Sequence, residues 1–165
     1  MARAAAYYRM RGDVGPLQVE TLRFLRTAVD AAYQDAVSAA DAGRLQPRLS
    51  REEAIGNRVD FVVRRDLRQL FDDYNIPYGP RSDLTINNRD YETSENDSLY
   101  RIPDARLRDV SFDWTLSEKT ISDPQIRGFF RADSQPRAVI IIRPSQLGGY
   151  TTYLILRPAD ILLWR

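Results

Sequence analysis

Apolar positions in the first half of the chain recur at three- and four-residue steps. Leu17, Leu22, Leu25, Val29, Ala32, Tyr33, Ala36 and Val37 form one stripe, the pattern of a helix with one buried face. Pro16 suits its first turn and Gly43 its stop. A second stripe joins Ile55, Val59, Val62, Val63, Leu67, Leu70, Phe71 and Tyr74. Ser50 followed by Glu53 is a capping box at its start, and Pro77 ends it. Residues 1 to 16, rich in Arg, Gly and Ala, predict a loose segment or a short helix.

Past Pro77 the period changes. Residues 78 to 98 are polar and turn-rich, with Gly79-Pro80 and Asn87-Asn88; a strand over 83–87 fits among them. Leu99 to Leu107 reads as extended. Ile102 precedes a proline, which favours the β region, and Pro103 suits an edge or a strand end. Val110, Phe112, Trp114 and Leu116 alternate with Ser111, Asp113, Thr115 and Ser117, the period of a half-buried strand. Ser122 as N-cap and Pro124 in a first turn predict a short helix to about Ala132. The run Ala138–Ile142, AVIII, predicts a central buried strand. Gly148-Gly149 turns the chain, Tyr150 to Leu156 returns as a strand, and 157–165 form a tail containing Trp164. The sum is one α/β domain. Its mixed sheet holds residues 99–104, 110–116 and 138–142, and the helix at 51–74 packs on one face.

Composition removes much chemistry. The chain has 165 residues and no cysteine or histidine. Disulfides, thiolate zinc sites, histidine bases and histidine triads are therefore excluded. Net charge is +1, so any basic surface is local. No apolar run is long enough to span a membrane. The N-terminus lacks the apolar core of a signal peptide and reads like a cut made inside a longer protein. Among 24 basic residues, Lys119 is the only lysine.

That lysine follows two aspartates, Asp104 after Pro103 and Asp113 in the alternating run. Adjacent strands would bring the two carboxylates side by side, where they repel unless a cation lies between them. Hard oxygen ligands suit magnesium or manganese. The second helix offers a third acid. Glu52 falls inside its stripe, while Glu53 and Asp60 share one edge, about 20° apart at 100° per residue. Gly56, between them, would admit a close strand. Glu53 has a capping duty and Asp60 has none. A bland reading stands beside this one: Asp104 as a turn residue, Asp113 as a solvated strand residue, and Arg127 and Arg131 as a solvated helix face.

The motifs Pro103-Asp104, Asp113 and Lys119, in an order of helix, three strands, helix and buried strand, resemble the PD-(D/E)XK nuclease superfamily, the restriction-endonuclease fold. Gln125-Ile-Arg-Gly-Phe129 is similar to the Gln-containing helix of RecB-like members. The phrases RIPDARL, FDWTLSEKT, PQIRGFF, VIIIRPSQLG and EEAIGNRVD resemble toxin domains at the C-termini of bacterial polymorphic toxins, of contact-dependent inhibition, Rhs and type VI systems. The likeness covers roughly residues 50 to 157. It implies an α-β-β-β-α-β core at 49–165 and an N-terminal helical extension at 1–48, within one compact unit. One departure stands out: the usual lysine position, two after the second acid, is Thr115, and Lys119 lies four further on.

The resemblance implies metal-dependent hydrolysis of phosphodiester bonds in DNA or tRNA. Asp104 and Asp113 would hold Mg2+ (or Mn2+ or Zn2+), with Asp60 or Glu53 completing the shell. Lys119 and Thr115 would serve the catalytic position, and Gln125, Arg127 and Arg131 would contact nucleic acid. It also implies delivery from a producing cell as part of a larger toxin, action in the target-cell cytoplasm, and a cognate immunity protein as partner. The rival expectations are a non-catalytic binding module that keeps the fold and, since such proteins are often acidic and this chain is not, less readily an antidote to such a toxin.

Overall fold

The computed structural model describes residues 1–46, 48–93 and 98–161. Their elements run α1 (Ala2–Arg11), α2 (Gly15–Asp41), α3 (Arg51–Asp73), β1 (Leu84–Ile86), β2 (Asp90–Thr93), β3 (Ser98–Arg101), β4 (Ala105–Leu107), β5 (Val110–Trp114), α4 (Pro124–Arg131), β6 (Ala138–Ile142) and β7 (Thr152–Leu156). Trp164 lies outside the described residues. No helix among them is long and apolar enough to cross a membrane.

The class is α/β, with a mixed five-stranded sheet in the order β1-β4-β5-β6-β7. β1, β4 and β5 form an antiparallel meander. β6 runs parallel to β5, and β7 closes the sheet as an antiparallel edge. The parallel step needs a crossover connection, which α4 supplies. As the AVIII run predicts, β6 is an interior strand and almost wholly buried.

Helix α3 begins as the sequence predicts. Ser50 Oγ accepts from Glu53 N (3.2 Å) and Glu53 Oε2 accepts from Ser50 N (3.0 Å), so two orphan donors are met reciprocally. Ile55, Val59, Val63, Leu67 and Phe71 form its buried stripe. Two expectations on this helix are corrected. Glu52 is exposed rather than inside the stripe. Gly56 is not pressed by a strand; a Cβ there would sit 3.7 Å from Leu116 Cδ1, an ordinary contact.

The strand expected at 99–104 is also corrected. Ser98–Arg101 pairs back on Asp90–Thr93 as a separate two-stranded ribbon, and the strand beside β5 is Ala105–Leu107. Pro103 has no N–H to give a ladder, and the chain bends at Asp104 before β4 begins. The ribbon rests on α4 at Gly128, where any side chain would collide with that of Arg101. β5 stops at Trp114, short of residue 116. The N-cap of α4 is Asp123, not Ser122.

Helices lie against both faces of the sheet. Val110, Phe112 and Trp114 join Leu25 and Val29 of α2 and Val63, Leu67 and Phe71 of α3 in one apolar core. On the other face Val139 and Ile141 pack with Ile126, Phe129 and Phe130 of α4. β5 is therefore buried along its whole length rather than half-buried. Helix α2 belongs to the same core as the sheet. It is tied across the fold as well: Asp30 accepts from Ser145 N (2.7 Å) and Ser145 Oγ (2.9 Å), and its carbonyl accepts from Gln146 Nε2 (3.1 Å).

Candidate acidic site at the carboxyl end of β5

The hairpin joining β4 to β5 sets Ala105 opposite Phe112. One residue outward, that register brings Asp104 opposite Asp113, and directly opposed residues share a face with Cβ atoms about 5 Å apart. Trp114 N donates to Asp104 Oδ2 (2.8 Å), which fixes the carboxylate against the end of β5. Asp113 is 3% exposed. Its Oδ1 accepts from Gln125 Nε2 (3.1 Å), while its Oδ2 is buried with no hydrogen-bond partner.

Burial is the first cause of perturbed ionisation here. It pushes Asp113 up to about 6, against a downward pull from the Lys119 charge and an upward one from Asp123 and Asp60. Asp104 is pushed well above the usual carboxylate range, first by burial and then by the charge on Asp113. The two carboxyl groups titrate as a pair: once one is ionised, the other must ionise beside a charge already present.

Lys119 reaches the same place. Its Nζ donates to Gln125 Oε1 (3.2 Å), so the Gln125 amide bridges the lysine and Asp113. The loop carrying it is held by Tyr153 on β7. Lys119 N donates to the Tyr153 hydroxyl (2.8 Å), and that hydroxyl donates to Lys119 O (2.9 Å). Arg143 adds bonds to Glu118 Oε1 (3.1 Å) and Leu116 O (3.4 Å).

Of the two helix acids, α3 delivers Asp60. Trp114 Nε1 donates to Asp60 Oδ1 (3.2 Å), and the Arg64 guanidinium lies against both oxygens of that carboxylate. The charge on Asp60 is felt at both Asp104 and Asp113. Glu53 is occupied by the capping box and exposed. Thr115 Oγ1 accepts from Ser117 N (3.3 Å) in the turn that ends β5 and makes no hydrogen bond to the acids. Arg127 and Arg131 are half-buried on α4 and take part in no ion pair among the described residues.

Sequence reasoning missed Trp114, Arg64 and Tyr153. Arg64 had a legible signal, four residues after Asp60 on a helix. Tyr153, 34 residues from Lys119, had none. A cleft of about 460 Å³, lined by Glu52, Glu53, Asn57, Trp114 and Thr115, adjoins the site without containing Asp104 or Asp113. Among the described residues no three acidic side chains gather closely enough to hold a metal by themselves. Asp104 and Asp113 nevertheless form a hard oxygen pair, and the unpartnered Asp113 Oδ2 fits a cation. No family model matches the chain, and no curated protein or solved structure matches it.

Proposed function

We propose that the chain is a metal-dependent nuclease toxin of the restriction-endonuclease fold, hydrolysing phosphodiester bonds in DNA or tRNA of competing bacteria. In this reading it is delivered as part of a larger toxin, acts in the target-cell cytoplasm, and is silenced in the producer by an immunity protein. The observation that carries the reading is the buried, unpartnered Oδ2 of Asp113 beside a second carboxylate. A lone buried carboxylate oxygen is costly, and a divalent cation is the group that repays it. The antiparallel meander followed by a helix and a strand parallel to its third member supports the fold assignment.

Asp104 and Asp113 would hold the ion, magnesium or manganese by their oxygen chemistry, with Asp60 nearby. Bound there, the ion supplies charge neutralisation at the phosphate and acidifies an attacking water. Gln125 keeps Asp113 and Lys119 in fixed relation. Lys119 binds the scissile phosphate as a point charge. Arg64 holds the Asp60 carboxylate against the Trp114 indole. The amide-bridged lysine places the positive charge that Thr115, in the usual lysine position, lacks.

The test is to incubate purified chain with plasmid DNA and with tRNA in Mg2+, beside Asp113→Asn. Cleavage by wild type that falls by about 10²-fold or more in the variant is expected, on the scale of losing one charge-stabilising group. At limiting Mg2+ the rate should rise with pH, because burial favours the protonated form of Asp113 and that proton must leave before the ion binds. A second reading, a non-catalytic binding module, draws on the 3% exposure of Asp113 and the lack of a three-acid group among the described residues. Wild type and variant that are equally inert, with no metal-induced rise in Tm, would favour it.

A further inference from the structure

The helix that brings Asp60 to the site also turns an aromatic ring to solvent. Phe61 is 60% exposed, although the other large apolar side chains of α3 point inward or are half-covered. It lines two grooves at once. One, of about 370 Å³, is walled by Asp60, Phe61, Arg64, Arg65 and Arg68. The other, of about 340 Å³, is walled by Arg44, Asn57, Arg58 and Phe61. Asn57 also lines the cleft that ends at Trp114 and Thr115. The depressions thus follow one another around α3 to the carboxyl end of β5. The first groove has Asp60 in its wall, and that carboxylate touches the Trp114 indole, so groove and acidic site share one residue.

Residues 57, 61, 64, 65 and 68 are spaced to lie along one stripe of the helix. Arg65 is exposed and, among the described residues, paired only with its neighbour Asp66. Arg68 is exposed and takes part in no ion pair among the described residues. A ring held in water between guanidinium groups contributes nothing to the core. It is suited to a flat π-face with phosphates on either side, which is the chemistry of an unpaired nucleotide strand. A duplex stacks its bases on one another and presents its backbone and base edges, not a free base face. Asp60 and Asp72 line this groove, so its field is weak and stacking must carry most of the affinity.

We propose that the α3 face centred on Phe61 holds an unpaired stretch of nucleic acid, one base stacked on the ring and the flanking phosphates on Arg65 and Arg68, with the strand leading toward Asp60. The direction of the strand rests on the nuclease reading above; the binding does not.

The test is fluorescence anisotropy in EDTA, where no metal-dependent cleavage occurs, with labelled oligothymidylate and oligouridylate of about ten nucleotides, within the usual range for such sites, and a duplex of equal length. Either single strand should bind at least about tenfold more tightly than the duplex. Phe61→Ala and Phe61→Leu should each weaken it about tenfold or more, and Phe61→Trp should restore it. With two phosphate contacts, log affinity should fall with log salt at a slope of about −1.4, and Arg68→Gln should reduce that slope by about 0.7. Melting curves check the fold of each variant. No single-strand binding, equal affinity for duplex, or wild-type binding by a folded Phe61→Leu chain overturns the inference. Cleavage by a chain whose single-strand binding ignores Phe61 would sink this proposal and leave the nuclease reading intact; Phe61-dependent binding by a chain that never cuts would do the reverse.

Discussion

The two faces of β5 are buried to the same depth by opposite means. Toward α2 and α3, Val110, Phe112 and Trp114 meet a continuous hydrocarbon core. Toward α4, the same strand buries Ser111 and Asp113, 0% and 3% exposed, and the outermost oxygens of both, Ser111 Oγ and Asp113 Oδ2, lack a hydrogen-bond partner. Removing apolar area from water stabilises by roughly 25 cal/mol per Å². Burying an unpartnered polar atom costs roughly 1–3 kcal/mol. Stability accounts for the first face. The second works against stability, and such places are where function is sought.

The largest expected effect breaks the first face. Phe112 is fully buried, so Phe112→Ala should cost about 3–5 kcal/mol in denaturant unfolding. Ser111→Ala, one residue away on the other face, should be neutral or stabilising, because it removes a hydroxyl that has no partner. Equal losses from both would erase the contrast.

Asp113→Asn sharpens the second face. The ordinary carboxyl value of 3.8 is raised to about 6 in the fold. Between those values the folded chain keeps a proton that the unfolded chain has released. Stability without metal therefore falls as pH rises from about 4 to about 6, and stays reduced above, by up to about 3 kcal/mol at 1.36 kcal/mol for each pH unit of the shift. The variant should lose the share of this slope that Asp113 carries, keep the share that burial of Asp104 carries, and melt higher at neutral pH. Mg2+ should raise the wild-type Tm more at neutral pH than at pH 5 and leave the variant unmoved. A flat wild-type profile in calorimetry would contradict the account.

Gln125→Ala removes one hydrogen bond to a carboxylate and one from a lysine, so a loss of about 2 kcal/mol is expected. Lys119→Ala in the same background should cost little more, since the two act as one unit; a double-mutant cycle reads this directly. The smallest effect is at the helix cap. Ser50→Ala should cost about 1 kcal/mol, and Glu53→Gln should leave the response to Mg2+ unchanged, because Glu53 serves the backbone of α3.

The contrast also explains what could be read in advance. The capping box of α3, its apolar stripe and the AVIII strand are local patterns, and each formed where its pattern lay. The alternation in β5 located the strand but misjudged its burial, because polar residues at every second position read as solvent-facing unless another helix covers them. That cover comes from α4, through Gln125 and Ile126. The pairing of Asp104 with Asp113 was legible although its carrier was not. Pro103 diverted the preceding residues into the ribbon, and the short β4 after it kept Asp104 in register. Asp60 stood out because, unlike Glu53, it had no cap to serve, although Arg64 four residues on pairs with it. The Tyr153 clasp on Lys119 could not be read, since it depends on how β7 closes the sheet.

The clamp between Asp30 and the turn after β6 has a consequence for timing. Ser145 and Gln146 bond to Asp30 across 115 and 116 positions of sequence. Contacts of that separation form late, because a long loop must close before any bond rewards it. A chain emerging from the ribosome N-terminus first has α3 to pack on the stripe of α2 once residue 73 is made, but it lacks the residues that tie α2 to the far side of the sheet until residue 145. The early-made helix pair thus waits for the sheet that covers it and for the tie at Asp30, and that interval is when its apolar face is open to aggregation or to capture by a chaperone.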